Sequence, residues 1–467
     1  MRELVTLPVW VLVLVLLLAA IAAVDRILGP SLRWFLRRRM ERAVARLNKR
    51  LERPIRPFIL LARSDTINRV IYSPEVMGAV QEFARDEGMP EEVAFERARK
   101  YAREIVPWFS TAAYFGFATR AAKLLSRSLY NVRLEAHEED AIRQVDSNAT
   151  VVFVMNHRSN MDYVLVTYLA AKRSALSYAV GEWARVWPLR SFVQSLGGYF
   201  IRRKSSDPLY RRVLARYVQL STANGVTQAV FPEGGLSLDG RVGQPKLGLL
   251  SYVISGFDPE QDRDVVFIPV GLNYDRVLED KVLTTALTNG QRRFRVAIRK
   301  AIWVVLRHLW RRVTGRFQRY GYAAVSFGAP ISLRALLKRA RSGSVAKDLG
   351  TELIAAVREI VPVLPVPLMA AVLGQADCPM TFDELVEENR VLRQRLVAKG
   401  AHLHLPGEDL VQESRQAILA LDSRGLITEQ DGRYVAVAAE KPLLDYYAAS
   451  ILQLLPSNTP KIAHAKT

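Results

Sequence analysis

Hydrophobic and polar positions alternate along the chain in three textures. The first is the run 5–24, which is 20 residues without a charge and rich in Val, Leu and Ala. About 20 apolar residues are needed to cross a bilayer as a helix, so residues 1–25 are predicted to be a transmembrane anchor. The alternative is a cleaved signal peptide with Ala20-Ile21-Ala22 as its processing site. A signal core is usually only ~7–15 residues long and follows more basic residues than the lone Arg2. The second texture is helical. A basic stretch runs to about residue 50, Pro54 and Pro57 mark a linker, and apolar residues then recur at three and four spacings over 74–130. Ala94, Ala98, Tyr101, Ile105 and Trp108 give one apolar face, with Pro90-Glu91-Glu92 opening that helix and Pro107 ending or kinking it. Residues 26–130 are therefore predicted to form a helical N-terminal region.

From residue 131 short apolar runs alternate with helical ones. Strands are predicted at 150–155, 177–180, 199–201, 227–231 and 265–269, with 322–327 closing the domain. A helix is predicted over 209–223, with Asp207 as its N-cap and Pro208 at its first position. Such alternation predicts an α/β fold over 131–335, a layered domain with a mixed sheet flanked by helices. Beyond Ser332 the pattern is helical again, so 336–467 reads as a helical C-terminal domain interrupted at 361–367.

Charge narrows the partners. Against 46 acids the chain carries 66 Lys plus Arg, a net charge of +20. That surplus favours an anionic membrane, phosphorylated substrates or nucleic acid. Arg26, Arg33, Arg37, Arg38, Arg39, Arg42 and Arg46 follow the apolar run, and the positive-inside bias then places the body on the cytoplasmic side of the cell membrane. Residues 292–319 hold ten Lys or Arg and no acid, interleaved with Phe294, Trp303, Trp310 and Phe317. This pattern predicts an interfacial helix with arginines at the headgroups; a buried helix with basic ends is the alternative. Cys378 is the sole cysteine, which rules out an intrachain disulfide. His402 and His404 have no Cys or carboxylate cluster beside them and read as an exposed loop pair, so no metal site is expected.

Four short segments carry candidate chemistry, each at a predicted strand end. Asn156-His157-Arg158-Ser159-Asn160-Met161-Asp162 follows the first. Five residues on, in a strand-to-helix turn, Asp162 can return its carboxylate to the His157 imidazole. That fixes the tautomer and raises the basicity of the other nitrogen, making a general base. Alone, the pair also fits a capping Asp beside a part-buried His. Next, Gly198-Tyr199-Phe200-Ile201 emerges into Arg202 and Arg203, whose guanidinium forks suit a phosphate. Phe231-Pro232-Glu233-Gly234-Gly235 follows, with Ser237, Arg241 and Lys246 behind it. Its glycines permit close backbone approach to a ligand, while Glu233 suits a substrate hydroxyl or an arginine. Last comes Ile268-Pro269-Val270, where Pro269 would shape an apolar wall. Singly, each of these three is also an ordinary strand end.

In this order the segments resemble the four motifs of the glycerolipid acyltransferase superfamily. Gly234-Gly235, the stretch 245–248, the stretch 325–331 and Tyr446-Tyr447 extend the likeness towards its glycerol-3-phosphate acyltransferase branch. The resemblance implies membrane-bound transfer of a fatty acyl group from acyl-CoA or acyl carrier protein to the hydroxyl of sn-glycerol 3-phosphate, the first step of phospholipid biosynthesis. His157 and Asp162 would be catalytic, and Arg203 would hold the acceptor phosphate. Arg202, Glu233, Gly234, Gly235, Ser237, Arg241, Lys246 and Pro269 would complete the substrate site. The thioester is a co-substrate and no cofactor is expected; membrane lipid is an expected partner. One departure stands out: the branch follows Glu-Gly-Gly with Arg-Ser-Arg, and here those places hold Leu236, Ser237 and Leu238. Charged hydrogen bonds contribute about 1.5–3 kcal/mol each, so Arg203, Arg241 and Lys246 would have to compensate, or the acceptor is lysophosphatidate or dihydroxyacetone phosphate. A non-enzymatic basic protein binding membrane or nucleic acid is the rival of another class, though the sequence contains no recognisable nucleic-acid module.

Overall fold

The structure is a computed structural model that describes residues 8–456 except 24–28, 136–138, 171–173, 182–183, 186–188, 203–205, 291–318, 340–344, 377, 406 and 408. It divides into two compact units, Met1–Ile55 and Arg56–Thr467. The first unit holds the helices Val9–Ala23 and Gly29–Asn48. Val9–Ala23 has 15 residues, a length of about 22 Å at the usual rise per residue, against a hydrocarbon core of about 30 Å. No helix among the described residues is long and apolar enough to cross a membrane. The predicted spanning helix is corrected to that extent: the described part of the apolar run is too short, and residues 5–7 and 24 lie outside the described residues.

The second unit is built on a mixed sheet. Its strands are β1 (Asn131–Glu135), β2 (Thr150–Met155), β3 (Ser177–Gly181), β4 (Gly198–Ile201), β5 (Gln228–Val230), β6 (Val265–Tyr274), β7 (Tyr322–Phe327) and β8 (Ile331–Ser332). The order across the sheet is β1-β7-β6-β2-β5-β3-β4, with β8 also on β6. From β6 to β4 all neighbours run parallel. β7 is antiparallel to β6 and parallel to β1. β2 is buried at every position, as its unbroken Thr-Val-Val-Phe-Val-Met run requires of a parallel strand covered on both faces. On one face Val152, Val154, Ala179, Tyr199, Val230 and Phe267 meet the helices Arg63–Ile71, Pro74–Asp86, Glu91–Ile105 and Pro208–Ala223 in one core. The helix Pro208–Ala223 starts as its sequence dictates, with Asp207 accepting from the Tyr210 amide and Pro208 in its first turn.

Topology fixes where a ligand can sit. The chain leaves β2 towards β3 and β4, returns to lay β5 between β2 and β3, then crosses to β6 on the far side of β2. The onward connections of the neighbours β2 and β5 therefore diverge, and in open α/β sheets the crevice lies outside the carboxyl ends of such a pair.

The C-terminal part is helical at Leu333–Arg339, Val345–Glu359, Pro365–Gln375, Phe382–Ala398, Leu410–Asp422 and Lys441–Leu452. It also contains a small antiparallel sheet, in the order β10 (Ile427–Gln430), β11 (Arg433–Ala436), β9 (Met380–Thr381). The all-helical reading missed it. Pro365 opens a helix there instead of extending a break.

Candidate active site

The carboxyl end of β2 turns straight into the helix Met161–Ala170, and Asp162 lies in its first turn. That places its carboxylate at the amino end of a helix, where unpaired amides attract an anion. Asp162 Oδ2 takes up this position: it accepts from the Arg158 amide at 2.8 Å and the Ser159 amide at 3.0 Å. The same oxygen lies 2.8 Å from His157 Nδ1. Because Oδ2 already receives two N–H groups as a carboxylate, Nδ1 is the donor and carries the proton. Oδ1 accepts from the Tyr274 hydroxyl at 2.6 Å. Burial and the adjacent Asp162 hold that phenol well above its ordinary range, so it stays a donor.

His157 Nε2 has no hydrogen bond among the described residues. The imidazole stacks on Phe231, with ring centroids 4.2 Å apart, and meets the edge of Tyr163. Only 2 % of its side-chain surface is exposed. The imidazole thus has one nitrogen committed to Asp162 and the other without a hydrogen bond among the described residues, and is packed between two aromatic rings.

The segment after β5 braces this loop and does not reach past it. Glu233 Oε1 accepts from the His157 amide at 2.8 Å, and Oε2 from the Gly243 amide at 2.9 Å. Burial pushes the Glu233 carboxyl up, and these two amides partly offset the shift. Both Glu233 oxygens are therefore spent on backbone amides, one of them that of His157. The Ser237 amide donates to the His157 carbonyl at 2.8 Å, and the Ser237 hydroxyl is spent on its own loop, donating to the Arg241 carbonyl and accepting from the Gly240 amide. Gly234 has φ of +65° with the Lys246 side chain laid over it, so a Cβ there would lie 2.8 Å from Lys246 Cδ. Gly235 and Arg241 sit on the same loop, Arg241 exposed. Pro269 is buried inside β6, opposite Val154. Its edge of β6 changes partner there, from β8 at Val266 and Phe267 to β7 at Val270. The missing N–H falls in that gap, which is how a central strand accommodates proline.

Arg202 was expected to face a phosphate. Its guanidinium is instead held by Glu104, Nε to Oε1 at 2.8 Å and Nη2 to Oε2 at 2.6 Å, between the rings of Tyr101 and Tyr210. Arg185 joins the same carboxylate at 3.0 Å. Arg203 lies outside the described residues, as do residues 291–318, nearly all of the basic segment.

Sequence reading missed a second tier. Glu279 accepts from the Ser159 hydroxyl at 2.7 Å, and from the Asn160 amide and side chain. The next residue, Asp280, is held by Arg424 and by the Tyr447 hydroxyl, and the same hydroxyl accepts from the Val277 amide at 3.0 Å. The Arg158 guanidinium, 1 % exposed, donates to the Gly240 carbonyl and lies 4.5 Å over the Tyr446 ring. A Cβ on Gly240 would lie 1.9 Å from the Tyr446 carbonyl oxygen. The C-terminal helix Lys441–Leu452 thus supports both flanks of the His157 loop. His404 is also buried rather than exposed, bonded through Nε2 to the Ser326 hydroxyl at 2.8 Å. Among the described residues no His, Cys, Asp and Glu group has metal-site geometry.

Comparison with known proteins bears on this arrangement. Residues 133–273 match the family model Acyltransferase, and residues 306–458 match the Glycerol-3-phosphate acyltransferase C-terminal region. The two matches identify an acyltransferase domain followed by a region like the C-terminal part of glycerol-3-phosphate acyltransferases. Among curated proteins its likeness is to glycerol-3-phosphate acyltransferases. The protein of that name from Alteromonas mediterranea is 28% identical over 283 residues, covering 60% of this chain and 33% of that one. Its namesake from Xanthomonas campestris is 28% identical over 309 residues, 65% of this chain and 33% of that one. The chain thus spans about a third of the length of these relatives. Among solved structures, a 1-acyl-sn-glycerophosphate acyltransferase from Thermotoga maritima aligns with a TM-score of 0.32 and 18% identity, over 52% of this chain and 76% of that one.

Proposed function

We propose that this chain is a membrane-bound enzyme that transfers a fatty acyl group from a thioester of coenzyme A or acyl carrier protein to the hydroxyl of sn-glycerol 3-phosphate. The observation that carries the reading is His157 Nδ1 tied to Asp162 at 2.8 Å with Nε2 left unpaired. Nε2 takes the proton of the acceptor hydroxyl as its oxygen attacks the thioester carbonyl. The new C–O bond forms, the C–S bond breaks, and the proton on the imidazolium leaves with the thiolate. Asp162 stabilises the imidazolium, and Tyr274 and two amides hold Asp162 in its orientation. The thioester is already activated, so the step needs no covalent acyl-enzyme. Arg241, exposed on the loop after β5, would meet the acceptor phosphate, together with Arg203, which lies outside the described residues. The apolar run at 5–24 and the +20 charge support attachment to an anionic membrane with the body on its cytoplasmic face.

Leu236 and Leu238, which occupy the places of the branch's arginines, favour a second reading with a more apolar acceptor, lysophosphatidate. Assaying the purified chain with one acyl thioester and glycerol 3-phosphate, dihydroxyacetone phosphate or lysophosphatidate separates the readings. The first expects the highest kcat/KM with glycerol 3-phosphate. Turnover with lysophosphatidate alone would transfer the assignment to the second.

A further inference from the structure

One face of the second unit combines exposed aromatics with positive charge. Residues 105–134 contain four Lys or Arg and no acid. Within them a π-helical segment, Ala112–Ala118, runs on into the helix Thr119–Leu129. Phe117 and Leu124 project from it, 61% and 67% exposed, with Arg120, Lys123 and Arg127 exposed around them. Phe117 meets Phe192 of the neighbouring helix Leu189–Ser195 edge-on, with ring centroids 6.1 Å apart. The Ser110 amide donates to the Ser195 carbonyl at 2.9 Å, bringing the Trp108 segment alongside the same helix. Trp108 and Phe192 are 43% and 41% exposed. Four large apolar side chains on connected elements are more than the scattered single residues a soluble surface carries.

A second observation indicates what covers this face. The Arg63 guanidinium donates to the Val106 carbonyl at 3.0 Å and to the Arg103 carbonyl, two residues and five residues from Trp108. Burial, then Arg190 and then Arg103 push Arg63 below its ordinary range. Arg63 is therefore held close to two other guanidinium groups beside the aromatic patch. Like charges held together in this way are relieved by an anionic partner.

We propose that the surface formed by Trp108, Phe117, Leu124 and Phe192 docks on an anionic lipid bilayer, with Arg63, Arg103 and Arg190 at its headgroups. The proposal rests on the membrane-bound reading above and names the surface that reading uses. Aromatic and aliphatic tips enter the acyl boundary while flanking cations remain at phosphate level, the division of labour of interfacial segments. An acidic protein would satisfy the guanidinium groups but offers no acyl phase for Phe117 and Leu124.

The test uses the full chain carrying Cys378→Ser, with Phe117→Cys labelled by an environment-sensitive nitrobenzoxadiazole dye. Vesicles of phosphatidylglycerol and phosphatidylcholine in equal parts are the probe. The expected result is a blue shift of the dye and its quenching by spin-labelled acyl chains, with little shift on pure phosphatidylcholine. The same dye at Val397→Cys, on an exposed C-terminal position, should remain in water. If the chain sediments with vesicles while the Phe117→Cys label stays in water, this surface is wrong and the membrane reading stands. If the chain does not sediment, both fail. Burial of the label by an acidic carrier protein without vesicles would also overturn the proposal.

Discussion

Tyr274 donates its hydroxyl to Asp162 Oδ1 at 2.6 Å, while the other oxygen of that carboxylate faces His157. The pair ties the far end of β6 to the turn after β2, so the His157 imidazole is set by two strands and not by its own loop alone. Removing one donor from a buried acceptor costs about 1–3 kcal/mol. Tyr274→Phe should therefore lower kcat roughly tenfold with acceptor KM little changed, measured by steady-state kinetics. A change confined to KM would place Tyr274 against substrate instead.

Arg202 is a structural cation. Arg202→Ala leaves Glu104 buried with Arg185 as its remaining partner. Breaking one partner of such a pair is strongly destabilising, here by roughly 1–3 kcal/mol because the arginine is part-exposed. Urea denaturation should show that loss, with the glycerol 3-phosphate KM of the folded variant within about threefold of the parent. A large rise in KM without loss of stability would return Arg202 to the phosphate site.

Arg424 and Tyr447 clamp Asp280, one residue from the carboxylate that holds Ser159 and Asn160. Arg424→Ala should lower stability by about 3–5 kcal/mol, since it strands a buried charge. Activity measured where the variant is still folded should fall as well, because Glu279 loses its anchor. Tyr447→Phe should do the same to a smaller extent. A variant that is destabilised but turns over normally would separate the C-terminal helix from the site.

Asp275 gives the fold a pH dependence. Its carboxyl is buried where β6, β7 and the helix Pro365–Gln375 meet, and burial pushes its pKa from 3.8 to about 7 although the Tyr322 and Val366 amides donate to it. Between those values the folded chain keeps a proton that the unfolded chain has lost. This group's contribution to stability therefore declines as pH rises from about 4 to about 7 and is level above. Urea midpoints across that range should show a shallower decline in Asp275→Asn than in the parent, at lower stability overall. Parallel profiles would contradict the assignment.

Much of the catalytic sheet was legible because buried parallel strands read as unbroken apolar runs: 150–155 and 322–327 match β2 and β7, and Asp207-Pro208 marked its helix. What local pattern could not show was partnership. β1 was missed because Asn131-Val132-Arg133-Leu134-Glu135 alternates weakly at a sheet edge. The β10–β11 hairpin was missed although Asp431-Gly432, with φ of 51° and 72°, is the strongest short turn signal for one. At the site, His157 and Asp162 sit five residues apart and could be paired from spacing. Tyr274 on Asp162, Glu279 on Ser159 and Arg424 on Asp280 are brought to the site only through the fold. Glu233 and Arg202 were recognised as important residue types, yet their partners, two backbone amides and a buried glutamate, are invisible without coordinates.

The central claim is that His157 removes the acceptor proton. Purified His157→Ala, shown by circular dichroism to be folded and by sedimentation to bind vesicles as the parent does, should be assayed with glycerol 3-phosphate and an acyl thioester. The account predicts a loss of about 10²–10⁴ in kcat with vesicle binding unchanged. A folded His157→Ala protein that turns over within a few-fold of the parent would contradict it.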